Sequence, residues 1–399
     1  MPTRILTVLL ALALAAPTAT AFAHERKPPS LKARALLPAD ASAPAPWTGA
    51  PDLEPVPAPG STQPVGGFSA LLDAPGKDTF WAMPDNGFGA KANSRSFLLR
   101  VYRVRARFET KHGGPGTVRV RDWITLRDPN HEIPFAIVRE ATRDRLLTGA
   151  DFDIESMRVD RHGNLWFGEE FGPFLVKTDR SGKVLQAPIA LPDVKSPDYP
   201  ADFPAPLTGT ANLARSNGFE GMAITRDGRT LLAALEGPVT GDDPLVRRVH
   251  EFDIASNRYT GRVWRYRVAD PTLLVSDLTA LDRDSFVALE RDNFQGVGAR
   301  HKRGFVVRFT DAETVKKREV VDLLDIADPH EISLPARPGD IGLGNPFSMP
   351  YVTIESVLPV GRNRLAIVND TNFGSTGRNP ALPDDSDFVV VNVPGLRGK

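Results

Sequence analysis

The chain has no cysteine, which removes disulfide frameworks, thiolate metal sites and cysteine nucleophiles together. It has no excess of either charge: 49 basic residues stand against 49 acidic ones. No net field therefore draws it to nucleic acid, which is not expected as a partner. There is no G-x-S-x-G elbow, P-loop, dinucleotide fingerprint or HExxH pair, so an α/β-hydrolase is excluded and a zinc site has little support. Ser375, in FGSTGR, does not make such an elbow.

Long apolar runs are also missing after the first residues. Residues 5–16 (ILTVLLALALAA) follow Arg4 and precede Ala21-Phe22-Ala23. That run is too short to span a bilayer and is followed by the small-x-small pattern of signal peptidase cleavage. Residues 1–23 read as a signal peptide cut after Ala23, which implies a secreted or periplasmic protein with no membrane partner after cleavage. Residues 24–65 are rich in Pro and Ala and read as an extended connector, with a possible strand at 31–37. Residues 66–399 remain as one domain, and 41% apolar residues supply an ample core.

Within that domain one hairpin pattern recurs. In DFDIESMRVDRHGNLWFGEEFGPF (151–174) two short strands flank an Asp-Arg-His-Gly-Asn turn, whose Gly163 and Asn164 tolerate the positive φ of a tight reversal. Similar hairpins occupy 68–89, 219–238, 276–294 and 354–374. Paired alternating segments follow the first four, while DFVVVNVP (387–394) alone follows the last. Five repeats of four strands predict an all-β fold, a single β-propeller of four-stranded blades. Five blades are counted; six are possible if one hides in 188–217 or 326–352. The missing strand of the last blade is expected to be 31–37, closing the ring.

The hairpins carry polar residues at two matched places. The first-strand set is Glu155, Glu220, Asp277, Glu355 and, as the exception, Ser69. The second-strand set, four residues after an apolar or aromatic residue, is Asp85, Glu170, Glu236, Glu290 and Asn369. In a propeller both sets converge near one mouth of the axis. So many carboxylates cannot stay ionised together without counter-charge, and Ca²⁺, with 6–8 oxygen ligands, resolves the repulsion. The metal candidates are therefore Asp85, Glu155, Glu170, Glu220, Glu236, Asp277, Glu290, Glu355 and Asn369. The alternative is structural: each acid bonds a neighbour's backbone N–H groups or an Arg.

Two echoes, DPNHEI (128–133) and DPHEI (328–332), stand at equivalent places before Glu155 and Glu355. His131 and His330 are candidates for proton transfer at the rim, or else lie on Pro-initiated surface turns. His250 and His301 have basic neighbours and read as solvated loops or an anion's greeting. Trp81, Trp166, Phe171 and Phe373 read as inter-blade packing.

Four segments (147–185, 217–238, 341–357 and 368–378) resemble, in order, the phytase-like family termed esterase-like activity of phytase. The resemblance implies an exported β-propeller hydrolase cleaving phosphoesters or carboxyl esters, and assigns no catalytic residues. With the acid sets it leads to a metal-dependent ester hydrolase with a small-molecule ester or phosphoester substrate. Glu155, Glu170, His131 and His330 are its catalytic candidates, and its oligomeric state is open. The alternatives are a non-catalytic exported propeller that binds a glycan, peptide or cell-wall partner, and a lactonase-like hydrolase.

Overall fold

Alternation of apolar and polar residues, punctuated by Gly- and Asp-rich turns, builds strands almost everywhere in the computed structural model. It describes residues 27–45, 61–204, 207 and 209–397. The expected signal peptide (1–23) and the middle of the connector lie outside the described residues. One short 3-10 turn, Gly296–Gly298, is the helical content among the described residues. No helix there is long and apolar enough to cross a membrane.

The strands form five antiparallel four-stranded blades. Blade one comprises Phe68–Asp73, Thr79–Pro84, Arg100–Arg107 and Thr117–Thr125, and blade two Ile154–Val159, Leu165–Glu169, Phe174–Thr178 and the two-residue Ile189–Ala190. Blade three is Phe219–Ile224, Thr230–Leu235, Val246–Asp253 and Arg258–Arg267. Blade four is Leu274–Ala280, Phe286–Arg291, Lys302–Arg308 and Lys316–Asp322. Blade five takes Thr353–Pro359, Arg364–Asp370 and Ser386–Asn392 from the end of the chain, and Ser30–Leu37 from its start. The first strand of each blade neighbours the first strands of the two adjacent blades, blade five meeting blade one. The protein is thus an all-β propeller, and the strand near the N-terminus closes it as its spacing predicted.

Each interface between neighbouring blades buries its own apolar cluster, five clusters for five interfaces. Trp166 of blade two is fully buried, its ring 5.4 Å from that of Phe252 in blade three, the inter-blade packing expected of it. The closing strand runs antiparallel to Ser386–Asn392, with Ser30 opposite Asn392 and Leu37 opposite Ser386. There the Arg34 guanidinium donates to both carboxylate oxygens of buried Asp387, at 3.0 to 3.2 Å. Asp387 also accepts from Tyr351 and Arg378, so the buried charge is matched rather than orphaned.

Turn chemistry matches the sequence pattern. In the blade-two hairpin the Asp160 carboxylate accepts the His162 and Asn164 N–H groups at 2.8 and 2.9 Å and the Trp166 indole N–H at 3.1 Å. Gly163 takes φ +81°, open to glycine at little cost. The long segments after the outer strands of blades one, two and four lead into the next inner strands. Residues 153, 215–217 and 352, one stretch from each of these segments, reach the axial cavity.

Candidate functional site

Every inner strand carries a β-bulge near its start. The register skips one residue in each: Ser69, Glu155, Glu220, Ser276 and Glu355. A bulge re-aims the extra residue and leaves it outside the ladder; Glu155, Glu220 and Glu355 line the axial cavity, while Ser276 donates to the Ile354 carbonyl at 2.7 Å. The residue before each bulge faces Pro84, Glu169, Leu235, Glu290 and Asn369 on the second strands, and the next residue along each second strand is Asp85, Glu170, Glu236, Arg291 and Asp370 around the ring.

This register corrects three of the sequence expectations. Blade four contributes Ser276 rather than Asp277, and Arg291 rather than Glu290; blade five contributes Asp370 rather than Asn369. A slip of one residue along a strand sends a side chain to the other face. Asp277 instead meets Arg158 of blade two at 3.0 Å and accepts the Val357 N–H of blade five at 2.8 Å. Arg158 also donates to the Leu278 carbonyl at 2.7 Å, so a buried ion pair ties blades two, four and five. Glu290 accepts from Tyr266 and Lys317, with His301 Nε2 3.3 Å away. Burial opposes its ionisation, but these contacts hold its carboxyl below the usual range. Asn369 accepts the Asp387 N–H at 2.7 Å and donates to the Asp385 carbonyl. For Asp277, Glu290 and Asn369 the structural alternative is what the molecule shows.

The other acids converge. A cavity of about 340 Å³ is lined by Asp85, Glu155, Glu170, Glu220, Glu236 and Glu355, joined by Asp153 and Asp370. Against these eight carboxyl groups stands the buried guanidinium of Arg291. It lies 2.5 Å from Glu236, 3.2 Å from Glu355 and 3.8 Å from Glu220. Arg215 also reaches the lining but is paired with Asp198 and more than half exposed.

Burial first, then repulsion among neighbours, raises Asp85, Glu155, Glu170 and Glu220 well above the ordinary carboxylate range. Burial pushes Asp153 up to about 6. Burial and the Glu355 charge push Asp370 up to about 7. Glu236 and Glu355 are also raised by burial, although Arg291 pulls them down.

Two carboxylate groups have the spacing of a metal site: Asp85, Asp153 and Glu155, and Glu155, Glu220 and Glu355, each with ligand atoms within 4.8 Å of one another. Glu170 and Glu220 are 3% and 4% exposed, and each has an Oε1 without a hydrogen-bond partner. Orphaned buried carboxylate oxygens are costly unless something positive satisfies them. The lining supplies acids, amides, hydroxyls and no imidazole, an oxygen donor set able to coordinate a metal ion.

His131 and His330 do not line this cavity; both are exposed. The echo that contains them is built around the buried acids Asp128 and Asp328. Asp128 accepts the Glu132 and Ile133 N–H groups, and Asp328 those of Ile332 and Ser333. His250 is a strand residue, not a loop one, and burial, the leading cause, pushes its imidazole down to about 4.

Sequence reasoning missed Arg291 and Asp370 and left Asp153 out of the metal candidates. A signal for the first two was available: Asp85, Arg291 and Asp370 each precede a phenylalanine (Phe88, Phe294, Phe373) by three residues. Likewise each bulged residue is followed two places on by Leu71, Met157, Met222, Leu278 or Val357. Counting from Asp277 would put Thr279 there.

Comparison with known proteins gives a family match. The family model described as "Phytase-like: Esterase-like activity of phytase" matches residues 63–373. A protein of Arthroderma benhamiae described as an "Uncharacterized secreted protein" is 28% identical over 186 residues, 37% of this chain. The match spans 36% of that relative's length. Among solved structures, a luciferin-regenerating enzyme aligns with TM-score 0.40 at 10% identity, over 85% of this chain and 82% of its own. An exo-β-1,3-galactanase of Phanerochaete chrysosporium aligns with TM-score 0.39 at 8% identity, over 88% and 63%.

Proposed function

Because the chain belongs to the phytase-like family described by esterase-like activity of phytase, we propose that the axial cavity is the site of an exported ester hydrolase. It works with a hard divalent cation, calcium foremost, on small phosphoesters or carboxyl esters. The observation that carries this reading is the imbalance at the axis: eight carboxyl groups around one buried guanidinium, with Glu170 and Glu220 oxygens left without hydrogen-bond partners.

Asp85, Asp153 and Glu155, or Glu155, Glu220 and Glu355, would hold the cation. When bound, it supplies Lewis-acid polarisation of a phosphoryl or acyl oxygen. Glu170 lines the cavity but belongs to neither ligand group. Its free Oε1 and raised affinity for protons suit it to accept a proton from water or return one to a leaving group. Asn217, which donates to Glu236 at 2.9 Å, lines the cavity with Asn86, Asn293 and Asn372 as groups for substrate oxygens. His131 and His330 leave the catalytic set.

Purified mature protein is assayed on aryl phosphates, phosphodiesters, phytate, short acyl esters and lactones, with calcium and with chelator. The expected result is calcium-dependent turnover of at least one ester class, and less bound calcium by elemental analysis in Glu155→Gln and Glu220→Gln. No turnover on any class removes the hydrolase reading. A second reading draws on Arg291, which already ties acids of blades three and five: the ion pins the blades while the loops bind a glycan, peptide or cell-wall partner. Its mark is a calcium-dependent rise in Tm with no hydrolysis, since a ligand bound only by the native state stabilises it.

A further inference from the structure

The two carboxylate groups do not merge. Asp85 and Asp153 meet Glu155 on the side of blades one and two, whereas Glu220 and Glu355 meet it from blades three and five; Glu155 alone is common to both. Two oxygens on opposite sides of one calcium ion are about 5 Å apart, given bonds of about 2.3–2.6 Å. Each group fits one ion by that measure, with atoms within 4.8 Å, but the five carboxylates do not form a single group of that span. From this geometry we infer that the cavity binds two divalent cations side by side, with Glu155 shared between them.

The inference rests on the cation-dependent reading above and extends it. The second observation behind it is the Glu220 Oε1, buried in the lining and without a hydrogen-bond partner, the Arg291 guanidinium standing 3.8 Å away. Charge points the same way, since one dication leaves most of the acid excess in place and two remove more of it.

The two sites are unequal. Arg291 sits 3.2 Å from Glu355 and 3.8 Å from Glu220, and its fixed positive charge competes with an ion there. No guanidinium or ammonium group is paired with Asp85, Asp153 or Glu155 among the described residues. The Asp85 side therefore fills first.

Calorimetric titration of chelator-stripped protein with CaCl₂, checked by elemental analysis, tests this. Two equivalents are expected, the first at least tenfold tighter. Asp153→Asn and Glu220→Gln should each leave one equivalent, the former removing the tighter. The protein loaded with Mn²⁺ should give an exchange-coupled paramagnetic resonance spectrum, because a bridging carboxylate couples the two ions. One equivalent in the unsubstituted protein, or two with spectra of isolated ions, overturns the shared pair while leaving a cation site. No bound ion under any condition overturns the reading beneath it as well. The unsubstituted protein answers the count by itself, so a variant that fails to fold does not spare the inference.

Discussion

Asp277 and Asp370 are both buried strand acids, and the side of the ladder each occupies decides its use. Asp277 holds Arg158 and a backbone N–H; Asp370 opens into the cavity, its carboxyl pushed up to about 7 by burial and Glu355. Asp277→Ala should leave Arg158 buried without its carboxylate, at a cost of about 3–5 kcal/mol, while bound calcium is unchanged. Asp370→Asn should act oppositely in chelator, raising Tm because it removes a carboxylate repelled by its neighbours. Thermal melts and metal content of the two variants decide between these registers. If Asp277→Ala lost calcium at unchanged Tm, the assignment of faces would be wrong.

At the scale of the strand, the bulge and the close packing of inner strands make the site. Gly221 follows the bulged Glu220, and a Cβ there would come within 2.9 Å of the Asp277 and Leu278 backbone in blade four. Backbone cannot yield as a flexible side chain does, so Gly221→Ala should cost about 1–3 kcal/mol, read as a lowered midpoint in denaturant. The same strands show what the sequence made legible. Alternation and turn residues were enough for five blades, the closing strand and the long connecting segments, because those features are written in local pattern. Six cavity acids were legible too, where the bulge and the apolar spacing coincide. The second-strand positions of blades four and five escaped because the count of four from an apolar residue (Phe286, Leu365) does not allow for register, and register is fixed by pairing across the hairpin. The histidine echo misled for another reason. Repetition of DPNHEI and DPHEI reflects a repeated need to cap a loop with a buried aspartate, and the histidine travels along.

At the scale of the molecule, the gathered acids make stability depend on pH and on cations. In chelator the cavity carboxyls hold protons more tightly in the folded chain than in the unfolded one, where they titrate near 4. Asp153 at about 6 and Asp370 at about 7 fall within that window. The folded state then binds more protons, so stability falls as pH rises from about 4 through 7. Asp387 and Glu290, whose folded values lie below the ordinary range despite burial, act in the opposite sense at the acid end. Differential scanning calorimetry in chelator should give a lower Tm at pH 8 than at pH 5. Calcium should narrow the gap, since an ion replaces the protons. A chelated protein that melts at the same temperature across this range would mean that the acids do not feel one another.

Blade five borrows Ser30–Leu37 and pairs it with Ser386–Asn392. Those residues are made before every other strand of the ring and must wait, unpaired on that side, until Ser386–Asn392 has been synthesised. The ring is clasped late, by contacts such as Arg34 with Asp387, 353 residues apart in sequence, which slows folding and leaves an open strand edge to be shielded in the meantime. Shortening the chain before residue 386 therefore strands its beginning as surely as its end.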